Sequence, residues 1–284
     1  MNNILIRFLN RAKLLPLLNL NSTIQVMGKG VDIPIRKSLG YSHLHAFEPW
    51  MTQLMKKLQP LFPGHFVDIG VNLGQTLIKA KSVFGDFEYT GFEPNPYCVA
   101  YVEELIKANK WKNCNVIPVG IADKTEVLKL NFYYEATVDP SASIVPDFRA
   151  NQKVDHFIYI PVMNEAQLSE FLPSVKNCLT KIDVEGAELE VLRGLKNWIS
   201  SSRPLVIIEI LPVYSADNEF RVNRQQQLES FLRDLNYTIL RIGKGKLDLT
   251  HLDSIEIHGD IDKCDYVLCP AEMKETVLNQ VNRH

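Results

Sequence analysis

The chain has 284 residues, 46% of them hydrophobic, and a net charge of −2 with both signs mixed along it. That length suits one large α/β domain with a capping segment, or two small domains, and the near-neutral balance offers no basic face for nucleic acid. No apolar run reaches membrane-spanning length. The cysteines (Cys98, Cys114, Cys178, Cys264 and Cys269) are scattered, odd in number and form no CxxC pair. They point to a reduced, cytoplasmic compartment, with most of them buried as small apolar residues.

Residues 2–20 are rich in Leu and Ile but interrupted by Arg7, Arg11, Lys13 and Pro16. No unbroken apolar core precedes a small-residue cleavage site, so a signal peptide is not expected. The pattern predicts an amphipathic helix, docked on protein rather than on lipid. Residues 26–35 predict a short hairpin around Gly28 and Gly30. His43 and His45 would share one face of a strand and could then hold a metal. Glu48 is the sole further ligand close in sequence, so the pair reads as structural or substrate-facing, with no metal expected. Residues 49–59 read as a helix leading into the first strand of the main sheet.

The stretch HFVDIGVNLG, residues 65–74, organises the rest of the chain. Residues 66–69 read as the end of a buried parallel strand, short, apolar and β-branched. Gly70 and Gly74 flank Asn72, and residues 75–83 read as a helix. Strand, glycine turn and helix make the first half of a nucleotide-binding βαβ unit. Gly70 would allow a tight turn, and Gly74 the close approach of a ligand or of a facing strand. Asn72 stands where a dinucleotide fingerprint has its middle glycine, and Asp68 would repel phosphate. An acidic residue there suits an ammonium-bearing ligand. A plain strand–helix turn without a ligand is the simpler alternative.

Residues 88–92 predict the next strand, closed by Glu93 and the prolines Pro94 and Pro96. Glu93 falls roughly twenty residues past the glycine turn, where a ribose-binding carboxylate belongs. An ordinary solvated glutamate is the alternative. A helix over 97–109 and a strand over 114–121, ending at Ala122 and Asp123, come next. Strands over 127–136 and 156–162 bracket a polar loop, 137–155, that holds Ser141 and Ser143; a loop this long is mobile or functional and is expected near a substrate mouth. Further strands follow at 179–184, ending in Asp183 before Glu185 and Gly186, and at 205–211, carrying Glu209. Helices are expected at 187–199 and 224–235, and two closing strands at 237–242 and 266–269.

The segments VDIGVNLG, GFEPNP, KIDVEGAELEVLRGL (residues 181–195) and IIEI (residues 207–210) occur in this order. Together they resemble the FkbM family of S-adenosylmethionine-dependent methyltransferases over roughly residues 66–212. The resemblance implies a class I methyltransferase fold: α/β and Rossmann-like, with a mostly parallel twisted sheet, helices on both faces and an antiparallel last strand. An amino-terminal helical cap, residues 1–60, would precede a methyltransferase domain, residues 61–284. The implied cofactor is S-adenosylmethionine, and the implied reaction is O-methylation of a small molecule or sugar. The chain departs from the family where VMNEAQLSEFL replaces a threonine–leucine–aspartate run, so substrate contacts are not carried over from that segment.

Under this resemblance Asp68, Gly70, Asn72, Gly74 and Glu93 are cofactor-binding candidates. Asp123 would accept from the adenine amine, or cap its own turn. Methyl transfer needs an aligned nucleophile and removal of a hydroxyl proton; Asp183 or Glu185 is the candidate base, with His43 behind them. His45, Ser141, Ser143 and Glu209 are substrate-binding candidates. The sequence Asn95-Pro96-Tyr97 is similar to the tetrapeptide of amino-methylating enzymes but follows the second strand rather than the fourth, and is not read that way. The expected partner is a small-molecule or carbohydrate acceptor, with no nucleic acid and no stable membrane anchor. Two other readings remain: a nicotinamide-dependent oxidoreductase on the same sheet, and a cofactor-binding protein without turnover.

Overall fold

The computed structural model describes residues 3–45, 48–146, 148–149 and 152–283; parts of the expected cap 1–60 and of the loop 137–155 lie outside them. The chain begins with helix α1 (Asn3–Arg11), the hairpin β1 (Asn19–Val26) and β2 (Lys29–Arg36), and helix α2 (Pro49–Leu58). Then come β3 (His65–Ile69), α3 (Gln75–Phe84), β4 (Glu88–Phe92), α4 (Pro96–Ala108), β5 (Cys114–Ile117) and β6 (Gly120–Ile121). After β7 (Glu126–Phe132) and β8 (His156–Met163) follow α5 (Glu165–Leu168), β9 (Leu179–Ile182), α6 (Glu188–Gly194) and α7 (Lys196–Ser202). The chain closes with β10 (Leu205–Glu209), α8 (Glu219–Asp234), β11 (Tyr237–Gly243), β12 (Asp248–Leu252), β13 (Asp265–Pro270) and α9 (Lys274–Asn282).

The main sheet runs β12-β11-β13-β10-β9-β3-β4-β5. Strands β10, β9, β3, β4 and β5 are mutually parallel, and β13 is antiparallel to both its neighbours. This is the class I methyltransferase arrangement that the resemblance implies. The chain moves outward from β3 in one direction through β4 and β5, and in the other through β9 and β10. Such a reversal leaves a crevice at the carboxyl ends of the strands. A separate small sheet, β6-β8-β7, stands beside it.

The parallel strands are apolar on both sides because both faces are covered. Phe66, Leu179 and Ile207 join one core with the hairpin, α2 and α9. Val67, Ile182 and Ile208 join the other with α6, α7 and α8. Alternation puts Asp68, Lys181, Glu209 and Asp265 on the first face, and the strand registers set Asp68 beside Lys181 and Glu209 beside Asp265. A row of charges therefore crosses the sheet near its ligand-binding edge.

Several expected elements differ. The strand over 114–121 is interrupted at Pro118, which lacks a backbone donor, and residues 120–121 pair with β8 in the other sheet. The helix over 187–199 breaks at Leu195: Gly194 packs so closely on the Ala122 carbonyl that a Cβ would lie 2.2 Å from its oxygen. His43 lies in a 3-10 turn, Tyr41–Leu44, rather than on a strand. Strand β12 and helix α9 had no expectation.

Candidate active site

The turn after β3 is fixed by backbone geometry. Gly70 has φ +87°, and a Cβ on it would lie 1.9 Å from the Asp183 carbonyl oxygen. Asp183 in turn donates its N–H to the Ile69 carbonyl at 2.9 Å. The β3 and β9 ends are thus pressed together, and only glycine fits between them. Gly74, at φ +82°, faces helix α4 instead: a Cβ there would meet Leu105 at 3.0 Å and Val102 at 3.4 Å. It serves helix packing and is absent from the cavity wall.

Glu93 ties the two halves of the βαβ unit together. Its Oε2 accepts from the Asn72 N–H and its Oε1 from the Asn95 N–H, both at 2.8 Å. Asn72 adopts φ +50°, a conformation Asn tolerates, and that presents its N–H to the carboxylate. Burial pushes the Glu93 carboxyl up to about 7 against the pull of the two N–H donors. Each carboxylate oxygen keeps a further lone-pair site for a ligand hydroxyl. Asn95 caps α4 through the Tyr97 N–H and donates to the Thr137 carbonyl at 3.0 Å, which brings the following loop to the same edge.

That loop closes the cavity from above. Asp139 accepts from the Tyr133 N–H, the Ser141 N–H and the Ser141 hydroxyl, at 2.6–2.8 Å. Ser143 donates to the Glu185 carbonyl at 2.7 Å, and Arg149 pairs with the Glu185 carboxylate at 2.6 Å. The Phe148 ring lies against Gly186, where a Cβ would come within 2.6 Å of it. Glu188 accepts from the Gly186 N–H at 2.9 Å and so holds the turn between β9 and α6.

The resulting cavity holds about 290 Å³, at the lower end of the range of small-molecule sites. Ile69, Phe92, Ile121, Leu130 and Ile144 supply apolar wall, and the polar wall includes Gly70, Asn72 and Asn95. Its charged lining is all acidic: Glu48, Glu93, Asp139, Asp183, Glu185 and Glu209, with no basic side chain among the described residues. Cations stand behind three of these acids. Lys79 bonds Glu48, Arg149 bonds Glu185, and buried Lys181 lies 3.2 Å from Asp183. Glu209 has no hydrogen bond among the described residues; burial, and then the Asp183 charge, push it up to about 8. Burial and Asp183 likewise raise Glu185 to about 7 despite Arg149.

The structure brings Gly70, Asn72, Glu93, Asp183, Glu185 and Glu209 together on this cavity and places the other expected residues elsewhere. Asp68 is fully buried on the sheet face, where the Tyr89 hydroxyl donates to Oδ2 at 2.6 Å while Oδ1 has no hydrogen-bond partner among the described residues. His43 is buried against Tyr101, and its Nε2 lies 3.0 Å from the Leu73 carbonyl; burial lowers it to about 4, so it is a neutral prop for the glycine turn rather than a base in the cavity. His45 is exposed and off the cavity. Asp123 is exposed beyond β6, because the break at Pro118 carries it out of the main sheet. Ser141 and Ser143 are used up in holding the loop. Among the described residues no three His, Cys, Asp or Glu side chains are placed to hold a metal ion together. Glu48, Asn95, Cys98 and Asp139 line the cavity without having been singled out as site residues. Asn95 ahead of a helix and Asp139 ahead of Pro-Ser were visible only as cap and turn signals.

Residues 68–239 match the model of the Methyltransferase FkbM domain. A curated relative, Methyltransferase 1 of Beauveria bassiana (strain ARSEF 2860), is 27% identical in an alignment of 152 residues that covers 46% of this chain and 59% of that protein. The crystal structure of Methyltransferase FkbM from Methylobacillus flagellatus KT is 18% identical with a TM-score of 0.42, covering 72% of this chain and 43% of that one. A SAM-dependent methyltransferase from Aquifex aeolicus is 13% identical with a TM-score of 0.43, covering 80% of this chain and 92% of that one.

Proposed function

The chain belongs to the FkbM methyltransferase domain family, and we propose that it uses S-adenosylmethionine to methylate a hydroxyl of a small molecule or sugar. The observation that carries this reading is the all-acidic lining of the cavity. Partly desolvated carboxylates without basic neighbours on the wall favour a cationic ligand. Two unit charges about 4 Å apart interact by about 4 kcal/mol near a protein surface. A sulfonium and an ammonium gain from that sign, whereas the pyrophosphate of a nicotinamide dinucleotide is repelled. The oxidoreductase reading is therefore not favoured.

The cofactor, when bound, supplies an electrophilic methyl group on a positively charged sulfur. The protein's own part is binding, orientation and proton removal. Glu93 is suited to a ribose diol, since its oxygens are fixed by Asn72 and Asn95 and keep acceptor capacity. The aliphatic and Phe92 side chains offer a surface for a flat base. Asp183, oriented by Lys181, is suited to take the proton of an acceptor hydroxyl. Its neighbour Glu185 is engaged by Arg149 and is suited to hold the loop in place.

Calorimetry with S-adenosylhomocysteine tests the cofactor assignment. Glu93→Ala removes charge-assisted hydrogen bonds worth roughly 1.5–3 kcal/mol each, so the expected loss is about tenfold or more per bond. Glu93→Gln keeps the shape and reports on the charge. An unchanged dissociation constant in either folded variant contradicts the ribose role.

A further inference from the structure

Helix α1 and the turn after it dock on the domain through Ile6 and Leu15, both fully buried, with Leu9 packed beside them. The same segment leaves Leu5 46%, Phe8 63%, Leu14 44% and Leu17 79% exposed. These apolar groups are therefore not the seam that holds the helix to the protein. Arg7, Arg11 and Lys13 are exposed among them. Lys37, also exposed, is fixed near Leu17 by its N–H bond to the Leu18 carbonyl. No acidic residue precedes Asp32 in the sequence.

We propose that this face rests on an anionic lipid bilayer. At about 3.6 residues per turn the outward arc of α1 runs Leu5, Phe8, Arg11, Arg7. Apolar side chains thus pass into cations around the helix, which matches the boundary between acyl chains and phosphates. Arg and Phe also suit a protein interface, so a second copy of the chain is the competing occupant that the test separates. The cations, with no acid interspersed, complement phosphatidylserine-type headgroups. No helix among the described residues is long and apolar enough to cross a membrane, so the contact is with the surface. The sequence reading, docking on protein rather than on lipid, accounts for the side that carries Ile6 and Leu15; the proposal departs from that reading in giving the other side to lipid.

Flotation of the full chain with phosphatidylcholine vesicles, with and without phosphatidylserine, tests this without cofactor or acceptor. The chain is expected to float with the anionic vesicles and not with the neutral ones. Phe8→Glu with Leu17→Glu, and separately Arg7→Glu with Arg11→Glu, should each weaken binding roughly tenfold or more. Both pairs spare Ile6, Leu9 and Leu15, and unchanged melting temperatures establish that they fold. Failure of the wild type to float overturns the proposal, as does flotation of both folded variants at the wild-type level. A concentration-dependent dimer that the same substitutions abolish, without lipid binding, assigns the face to a second copy and overturns it too.

Discussion

Asp183 and Glu209 end neighbouring strands and both approach one buried ammonium, that of Lys181. The ion pair orients Asp183 through Oδ2 alone, and the side chain remains 39% exposed. General-base assistance contributes about 10²–10⁴-fold. Asp183→Asn is therefore expected to slow single-turnover methyl transfer by about that factor at saturating cofactor, with cofactor affinity kept. Glu209→Gln is the necessary comparison, because Glu209 is the cavity acid free of hydrogen bonds among the described residues. Normal turnover in Asp183→Asn with loss in Glu209→Gln moves the base to β10. Melting temperature is followed in parallel, since Asp183→Asn removes a counterion from buried Lys181. Glu93 was legible in the sequence because it stops a strand just before two prolines. Asp68 reads as a cavity residue from its place at a strand end, but alternation turns its side chain onto the sheet face toward Tyr89 and Lys181. His43 was misplaced because spacing alone cannot distinguish a strand from a 3-10 turn.

The described part of the loop between β7 and β8 is strapped down at both ends. Asp139 and Asn95 hold its start, and Arg149 and Ser143 hold it to the turn after β9. Arg221 adds a further tie, donating to the Phe148 carbonyl at 2.7 Å with its guanidinium over that ring. Arg149→Ala is expected to loosen this cover and to raise the Glu185 carboxyl further, since it removes the cation that lowers it. Limited proteolysis within residues 137–155 should speed up, and bound S-adenosylhomocysteine should protect the wild type more than the variant. Equal cleavage rates with and without the substitution contradict this role. The parallel strands and their helices were legible as short apolar runs and amphipathic stripes. The loop's ties were not, because all but the local Asp139 contacts join residues 36 to 73 positions apart through single side chains. The small sheet was half-visible: its strands were expected, but Pro118 decides which sheet receives residues 120–121.

Across the whole molecule, acid clustering ties stability and binding to pH. Burial raises Asp68, Glu93, Glu185 and Glu188 to about 7 and Glu209 to about 8. The folded chain then holds more protons than the unfolded one from about pH 4.5 to 8, so these groups make stability fall as pH rises through that window. His43, lowered from 6.5 to about 4, acts in the opposite direction between those values, and His45, His65 and His258 are lowered as well. As pH rises past 6.5 these four lowered histidines lose their proton in the unfolded state as well, so their opposing contribution fades and the carboxyls dominate. The melting temperature of the free protein is therefore expected to fall between about pH 6.5 and 8. A bound cation favours the ionised carboxylates and should oppose that fall. The fold that creates this cluster follows from the strand registers, which a reading of separate strands could not supply.

Calorimetric titration of S-adenosylmethionine at about pH 7, in two buffers of different ionisation enthalpy, tests the cationic-ligand reading most directly. Binding should occur and release protons to the buffer, and affinity should rise as pH goes from about 6.5 to 8. NAD under the same conditions should give no heat of binding. Absence of S-adenosylmethionine binding, binding with proton uptake, or preferential binding of NAD would each contradict the account.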